Sequence, residues 1–147
     1  MTTINNAARS LRRYHERELL RPKAPLVVDE GHLRRIRRLP CLICWKQPPS
    51  EAAHVRVSEF GWSTAHGAGR KPHDMHCLPL CVAHHRQGRD AEHNVGTVAF
   101  WRRFKMNPLP LAEELWEASF ALNKAEDQRF DLMMSVMMRH HFLGELA

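Results

Sequence analysis

Hydrophobic positions recur at helical spacing near the start of the chain. Residues 4–20 predict a basic amphipathic helix, because apolar or histidine side chains return every three or four residues with arginines between them. The recurring positions are Ile4, Ala8, Leu11, His15 and Leu19. Pro22 and Pro25 end this pattern, and a second short helix is predicted between Asp29, as its N-cap, and Pro40.

The middle of the chain has a different pattern. From Cys41 to Leu80 helical periodicity is weak, and proline, glycine, histidine and serine are frequent. This composition predicts short strands and loops, which hydrophobic burial alone would hold poorly and a bound metal could organise. Helical spacing returns after Cys81 and continues to a break at Asn107 and Pro108.

Two apolar stripes after this break predict a C-terminal helical hairpin with a turn near Asn123. The first stripe consists of Leu111, Leu115, Ala118 and Leu122, and the second consists of Phe130, Met133, Met134, Met137 and Met138. Core packing is the expected use of the methionine-rich face. The alternative is a pliable surface for a partner or for a second copy of the chain.

Length and composition favour one compact domain with helical extensions, because 147 residues of 44% hydrophobic content suffice for one core. The patterns divide the chain into a basic helical extension at residues 1–38, a core at 39–106 and the helical hairpin at 107–147. The first residues carry no apolar signal segment, and no run of about eighteen apolar residues follows. We therefore expect a cytoplasmic protein without a membrane segment.

The charge is distributed unevenly. Up to Leu109 the chain has 19 basic against 9 acidic residues, a net +10, whereas from Pro110 it has 3 against 7, a net −4. A cationic region attracts a polyanion and gains free energy by releasing its condensed counterions. The charge pattern therefore favours nucleic acid as the partner.

Two close pairs of cysteine and histidine predict a metal site. In a reducing compartment the four cysteines are expected to be metal ligands or buried thiols. Cys41 and Cys44 form one pair, and Cys81 and His84 form the other. Two residues between ligands let a tight turn point both side chains at one ion, which predicts a closed, structural zinc site. Cys77 is the alternative fourth ligand.

Three motifs give these pairs a context: EAAHVR at residues 51–56, GAGRKPHD at residues 67–74 and LCVAHH at residues 80–85. The order of these features resembles the HNH, or ββα-metal, endonucleases over residues 38–104. It runs from a cysteine pair through a histidine with a basic neighbour and a polar loop to a ligand pair followed by another histidine. Within that superfamily the order is most similar to the phage Ref-like, recombinase-dependent nucleases.

The resemblance implies a fold and an activity. The fold is α+β, with a small zinc-stapled ββα-metal core, N-terminal basic helices and a C-terminal helical hairpin. The activity is hydrolysis of DNA phosphodiester bonds by a bacterial or phage-encoded endonuclease, with a recombinase filament as a further partner. Sequence specificity should be low, because arginine contacts to phosphate carry no base information.

The same resemblance assigns roles to individual residues. His54 becomes the general base for the attacking water, a task that suits a side chain with an ordinary pKa of about 6.5. His85, with help from Asp74, becomes a ligand of a catalytic divalent ion, magnesium by preference or manganese, that stabilises charge on the leaving 3′ oxygen. The nucleic-acid contacts fall to Arg56, Arg70, Lys71 and Arg86.

The chain departs from the commoner HNH pattern at two positions. Ala53 stands where many relatives carry an ion ligand, so a ligand must come from elsewhere, with Asp74 the expected candidate. His76 falls near the central asparagine position and would order the hairpin loop or join the metal shell. His93, about two helical turns after His85, is a further candidate. The alanine keeps a rival open: a catalytically inactive, zinc-stabilised nucleic-acid-binding module.

Overall fold

A computed structural model describes residues 25–56, 71–121 and 123–145. The helix predicted at residues 4–20, together with Arg70 and Leu122, lies outside the described residues. Helices and one small antiparallel sheet make up the described part, which confirms the α+β class. Within it, no helix has the length and apolar character needed to span a membrane.

The first described helix begins where the sequence predicts. Helix α1 spans Glu30–Arg38, and the Asp29 side chain accepts a hydrogen bond of 2.6 Å from the backbone N–H of His32. This cap satisfies one of the donors left free at a helix start. Leu33 and Ile36 are buried and face the sheet, so α1 packs on both strands and leads the chain into the first cysteine pair.

The sheet consists of two short antiparallel strands. Strand β1 is Glu51–His54 and strand β2 is Cys77–Leu80, and the register pairs His54 with Cys77. Every residue of β2 is buried. The Leu42 backbone N–H donates to a carbonyl of β2 at 2.9 Å, which fastens the loop of the first cysteine pair to the sheet.

Helical turns follow β2 in place of one continuous helix. A π-helical turn at Ala83–Gln87 ends at Gly88, whose N–H donates to the Ala83 carbonyl at 2.9 Å. A Cβ on Gly88 would lie 2.4 Å from that carbonyl oxygen, so a side chain at this position would collide with the turn. Helices α2, Glu92–Val95, and α3, Thr97–Arg103, complete this region.

The C-terminal hairpin forms as expected. Helix α4 spans Pro108–Ser119 and packs against α5, Glu126–Glu145. Met133 and Met137 are fully buried, which confirms core packing at these positions, whereas Met138 is 42% exposed.

One hydrophobic cluster draws on each of the three segments that the sequence separates. It contains Ile36 from the first segment, Leu78 and Trp101 from the second, and Leu111 and Met137 from the third. The hairpin is therefore packed into the same core as the strands, and helix α4 helps to support β2.

Candidate metal and catalytic site

The four predicted zinc ligands come together although Cys81 lies 37 positions after Cys44 in the sequence. The ligand atoms of Cys41, Cys44, Cys81 and His84 all lie within 4.8 Å of one another. The first pair follows α1, and the second pair lies at the turn after β2. This cluster could hold a structural metal such as zinc.

The distances within the cluster fit a tetrahedral ion. The sulfurs of Cys44 and Cys81 are 3.8 Å apart, and His84 Nδ1 lies 3.5 Å from Cys41 Sγ and 3.2 Å from Cys81 Sγ. Ordinary zinc bond lengths give tetrahedral edges of about 3.8 Å between two sulfurs and about 3.6 Å between sulfur and nitrogen. The side chains are therefore already arranged around a point at which zinc would fit.

The protonation chemistry of the cluster also fits a bound cation. Burial raises the pKa of Cys41 to about 11, so a thiolate there requires a positive charge nearby. Burial also opposes ionisation of Cys81, but the backbone N–H groups of His84 and Ala83 and the neighbouring thiols outweigh it and lower the pKa of Cys81. Burial and the charge of Arg103 lower the pKa of His84, which favours the neutral imidazole that a metal needs.

Cys77, the alternative zinc ligand, lies in a different group. It pairs with His54 across the sheet and shares a second potential metal-binding group with His54 and Asp74. Its side chain is fully buried, and burial is the main reason that the pKa of the thiol is raised. The fourth member of the cluster is thus His84.

His54, at the end of β1, is oriented by a buried carboxylate. Its Nε2 lies 2.7 Å from Asp74 Oδ1, and because an ionised carboxylate only accepts, Nε2 carries the proton and Nδ1 remains an acceptor. Burial lowers the pKa of His54 below its ordinary value of 6.5, although the hydrogen bond to Asp74 opposes the shift. The ring is therefore neutral at pH 7.

Asp74 is fully buried, and its carboxylate accepts hydrogen bonds from three groups. Burial raises its pKa, but hydrogen bonds from His54, from the Asp29 backbone N–H at 2.9 Å and from Lys71 outweigh burial and lower it. The expected partnership of Asp74 with His85 is therefore wrong. The reason is the register: the short turn containing Asp74 leads directly into β2, whose first residue lies opposite His54.

His85 points to the other end of β1. Its Nδ1 lies 2.7 Å from Oε2 of Glu51, and the same carboxylate accepts a two-pronged contact from Arg86. Burial raises the pKa of Glu51, but Arg86 and His85 outweigh it and keep the carboxylate ionised. Nδ1 of His85 therefore donates to Glu51, as in metal-binding imidazoles whose second nitrogen is held by a carboxylate.

A third potential metal-binding group consists of His85, Glu92 and His93. The rings of His85 and His93 are 4.5 Å apart, and Glu92 is only 3% exposed. One Glu92 oxygen accepts from the Thr97 hydroxyl at 2.9 Å, while Oε2 meets no donor in hydrogen-bonding geometry among the described residues. Burial raises the pKa of Glu92, opposed by Thr97, His85 and the nearby Trp101 indole. A buried carboxylate beside two imidazoles fits a bound cation.

Arg56 connects these groups electrostatically. After burial, its positive charge is among the causes that lower the pKa of His54 and of His93. It also acts against burial to stabilise the charged form of Glu92. The Arg56 guanidinium is exposed, and its charge acts on residues of both groups.

Three further residues predicted to bind metal or nucleic acid, His76, Lys71 and Arg86, make contacts within the fold. The His76 carbonyl accepts from the Val55 N–H at 2.8 Å and extends the pairing at the end of the sheet, and His76 belongs to none of the three groups found among the described residues. Lys71 Nζ lies 2.9 Å from Asp74, and Arg86 is 55% exposed while paired with Glu51.

Comparison with protein families assigns the chain to one family. A family model described as "Protein of unknown function (DUF968)" matches residues 15–104, more than half of the chain. The chain belongs to the DUF968 family. No curated protein and no solved structure matches it. The residues matched by the DUF968 model include all three potential metal-binding groups. The match ends before the C-terminal hairpin.

Two carboxylates of this DUF968 chain were missed by the sequence analysis. Glu51 opens the EAAH motif, and Glu92 directly precedes His93. Their proximity in sequence to histidines was the available signal. Their role depends on which histidine each one meets, and for Glu51 that partner is His85, 34 residues away.

Proposed function

We propose that this protein is a metal-dependent endonuclease of the HNH type that hydrolyses DNA phosphodiester bonds with low sequence specificity. The observation that carries the proposal is the pair of oriented histidines tied to the two ends of β1, His54 by Asp74 and His85 by Glu51. Arg56, whose charge acts on both groups, supports it further. The order of two antiparallel strands and a helical turn around a Cys/His cluster is consistent with a ββα-metal core.

In this proposal Cys41, Cys44, Cys81 and His84 hold a structural zinc, and His54 is the general base. The Nε2–H bond to Asp74 presents Nδ1 as the proton acceptor for an attacking water. The depressed pKa keeps that nitrogen unprotonated at neutral pH. The buried position of Asp74 holds the ring in one tautomer, so Asp74 acts as a positioning residue.

The second group, His85 with Glu92 and His93, is proposed to hold the catalytic cation. When bound, a divalent cation supplies positive charge that stabilises the leaving 3′ oxygen. Ala53 is 1% exposed and belongs to the hydrophobic core. In this proposal His85, Glu92 and His93 supply the metal ligands, one of which comes from the position of Ala53 in many HNH enzymes. Two imidazoles and one carboxylate suit manganese better than magnesium, which prefers oxygen ligands.

Arg56 is proposed to hold the scissile phosphate by paired hydrogen bonds. Such contacts read no bases, so targeting would come from elsewhere. A recombinase filament stays a prediction from the resemblance alone.

Nicking of supercoiled plasmid tests the proposal directly. With purified protein, open-circular product is expected to accumulate when manganese is added, more slowly with magnesium, and not without added divalent cation. A zinc-stabilised binding module without catalysis would retard the plasmid in a gel under all three conditions and leave it supercoiled. That result would overturn the nuclease assignment.

The role of Glu51 gives a second test. We expect Glu51→Gln to raise the manganese concentration needed for half-maximal nicking by about 10- to 100-fold, because a neutral amide no longer holds the His85 imidazole by a charge-assisted hydrogen bond. The measurement is nicking rate against manganese concentration, with bound zinc assayed in the same preparation.

The chain offers a matched control for this substitution. Glu114 also bridges an arginine and a histidine, Arg139 and His140, each at 2.9 Å, but on the C-terminal hairpin. Glu114→Gln should leave the manganese dependence unchanged. An identical manganese dependence in the wild type and both variants would remove Glu51 from the cation site.

A further inference from the structure

A cleft of about 370 Å³ lies between the π-helical turn and the end of α3. Its walls include Arg89, Arg103, Asp90 and Phe104, together with His84 of the Cys/His cluster. Neither arginine belongs to the phosphate contacts assigned above. We call this feature the Arg89–Arg103 cleft.

The cleft carries more positive than negative charge. Arg103 Nη1 lies 3.1 Å from Asp90 Oδ2, but both side chains are more than half exposed, at 58% and 59%. An ion pair this exposed contributes little and exchanges easily for a stronger partner. Arg89 is exposed and makes no ion pair with any residue in the described part of the chain. Two guanidinium groups against one carboxylate leave an excess of positive charge.

We propose that the Arg89–Arg103 cleft binds a backbone phosphate of the nucleic-acid strand, next to the phosphate that is cut. This inference rests on the proposed function. Guanidinium forks match the oxygens of a phosphate, and half-buried Phe104 offers an apolar wall for the adjoining sugar. His84 lines the cleft and His85, the next residue, belongs to the cation group, so both are anchored on the same turn.

A rival use of the two arginines is charge compensation. Zinc with three thiolates carries a net negative charge, and Arg103 is close enough to act on His84. Under that alternative the arginines stabilise the metal cluster and contribute nothing to nucleic-acid binding. The two uses differ in what is lost when Arg103 is removed.

The test is equilibrium binding, measured by fluorescence anisotropy with a labelled 16-nucleotide DNA, once as a single strand and once as a duplex. All variants carry His54→Ala so that no cutting occurs, and no divalent cation is added. Arg103→Ala should weaken binding about 5- to 10-fold and reduce the slope of log K against log salt by about 0.9 for duplex or about 0.7 for single strand, the value of one phosphate contact. Asp90→Asn should tighten binding, because it releases Arg103.

Arg139→Ala is the control, since Arg139 is 59% exposed and paired with a carboxylate at 2.9 Å, much as Arg103 is, but on α5. It should bind like the parent. Unchanged affinity and salt slope in both Arg103→Ala and Asp90→Asn would overturn the inference, and so would loss of bound zinc without loss of binding in Arg103→Ala. If binding is unchanged but the protein with His54 intact nicks plasmid, the proposed function stands without the cleft. If Arg103→Ala weakens binding but the protein with His54 intact never nicks plasmid, the nuclease assignment is rejected and phosphate binding in the cleft stands.

Discussion

Replacing His54 with alanine is expected to lower the rate of plasmid nicking by about 10²- to 10⁴-fold, the usual contribution of a general base. The expectation follows from the 2.7 Å contact of Nε2 with Asp74, which leaves Nδ1 as the only proton acceptor of that ring. Nicking is measured as the initial rate of open-circle formation at saturating manganese. Because the ring is partly exposed at the end of β1, the fold should tolerate the change.

The pH dependence of the wild type belongs to the same prediction. Only the neutral ring accepts a proton, and burial lowers the pKa of His54 below 6.5. Activity should therefore decline only at a pH lower than an ordinary histidine would give, as His54 becomes protonated. The residual activity of His54→Ala should lack this acidic decline.

His140→Ala is the matched control, because His140 also contacts a carboxylate through Nε2, Glu114 at 2.9 Å, but on the hairpin. It should nick at the wild-type rate. Equal rates in the wild type, His140→Ala and His54→Ala would show that His54 is not the base. Bound zinc and thermal unfolding are compared in all three, so that loss of folding cannot be mistaken for loss of chemistry.

Removing the proposed zinc should have the largest effect on stability. We expect Cys81→Ser, or treatment with a strong zinc chelator, to abolish cooperative thermal unfolding. Apparent binding free energies of structural zinc are on the order of 10 kcal/mol, comparable to the about 5–15 kcal/mol that holds a whole domain. The cluster fastens the loop after α1 to the turn after β2, so its loss frees both connections.

Cys77→Ala provides the comparison, because Cys77 is equally buried but lies outside the cluster. It should keep about one zinc per chain and lose only the free energy of a small cavity, roughly 1 kcal/mol. Metal analysis by mass spectrometry and circular-dichroism melting are the measurements. If Cys77→Ala loses the metal while Cys81→Ser retains it, the ligand set is wrong.

Local features of the fold could be predicted because they depend on neighbouring residues. Asp29 caps the helix that follows it, and the turn near Asn123 separates two amphipathic helices, as their patterns indicate. The spacing of Cys41 with Cys44 and of Cys81 with His84 likewise placed each pair on one tight turn. Each of these predictions involves residues within about one helical turn of each other.

The predictions that failed, or were not made, involve contacts across the fold. Asp74 was expected beside His85, but the strand register places it beside His54, 20 residues away. Glu51 had no predicted partner, and Glu92 no predicted role, until the turns after β2 brought His85 and His93 to them. A pattern of residue types does not contain the register of two strands or the bend at Gly88.

The sequence by itself determined the capped start of α1, the close Cys/His pairs and the excess of positive charge, because propensity, spacing and charge act locally or simply add. Only the tertiary structure decided which carboxylate orients which histidine and that the C-terminal hairpin shares the core of the strands. Those pairings depend on how distant segments pack, which is set by the sum of many contacts and not by any one motif.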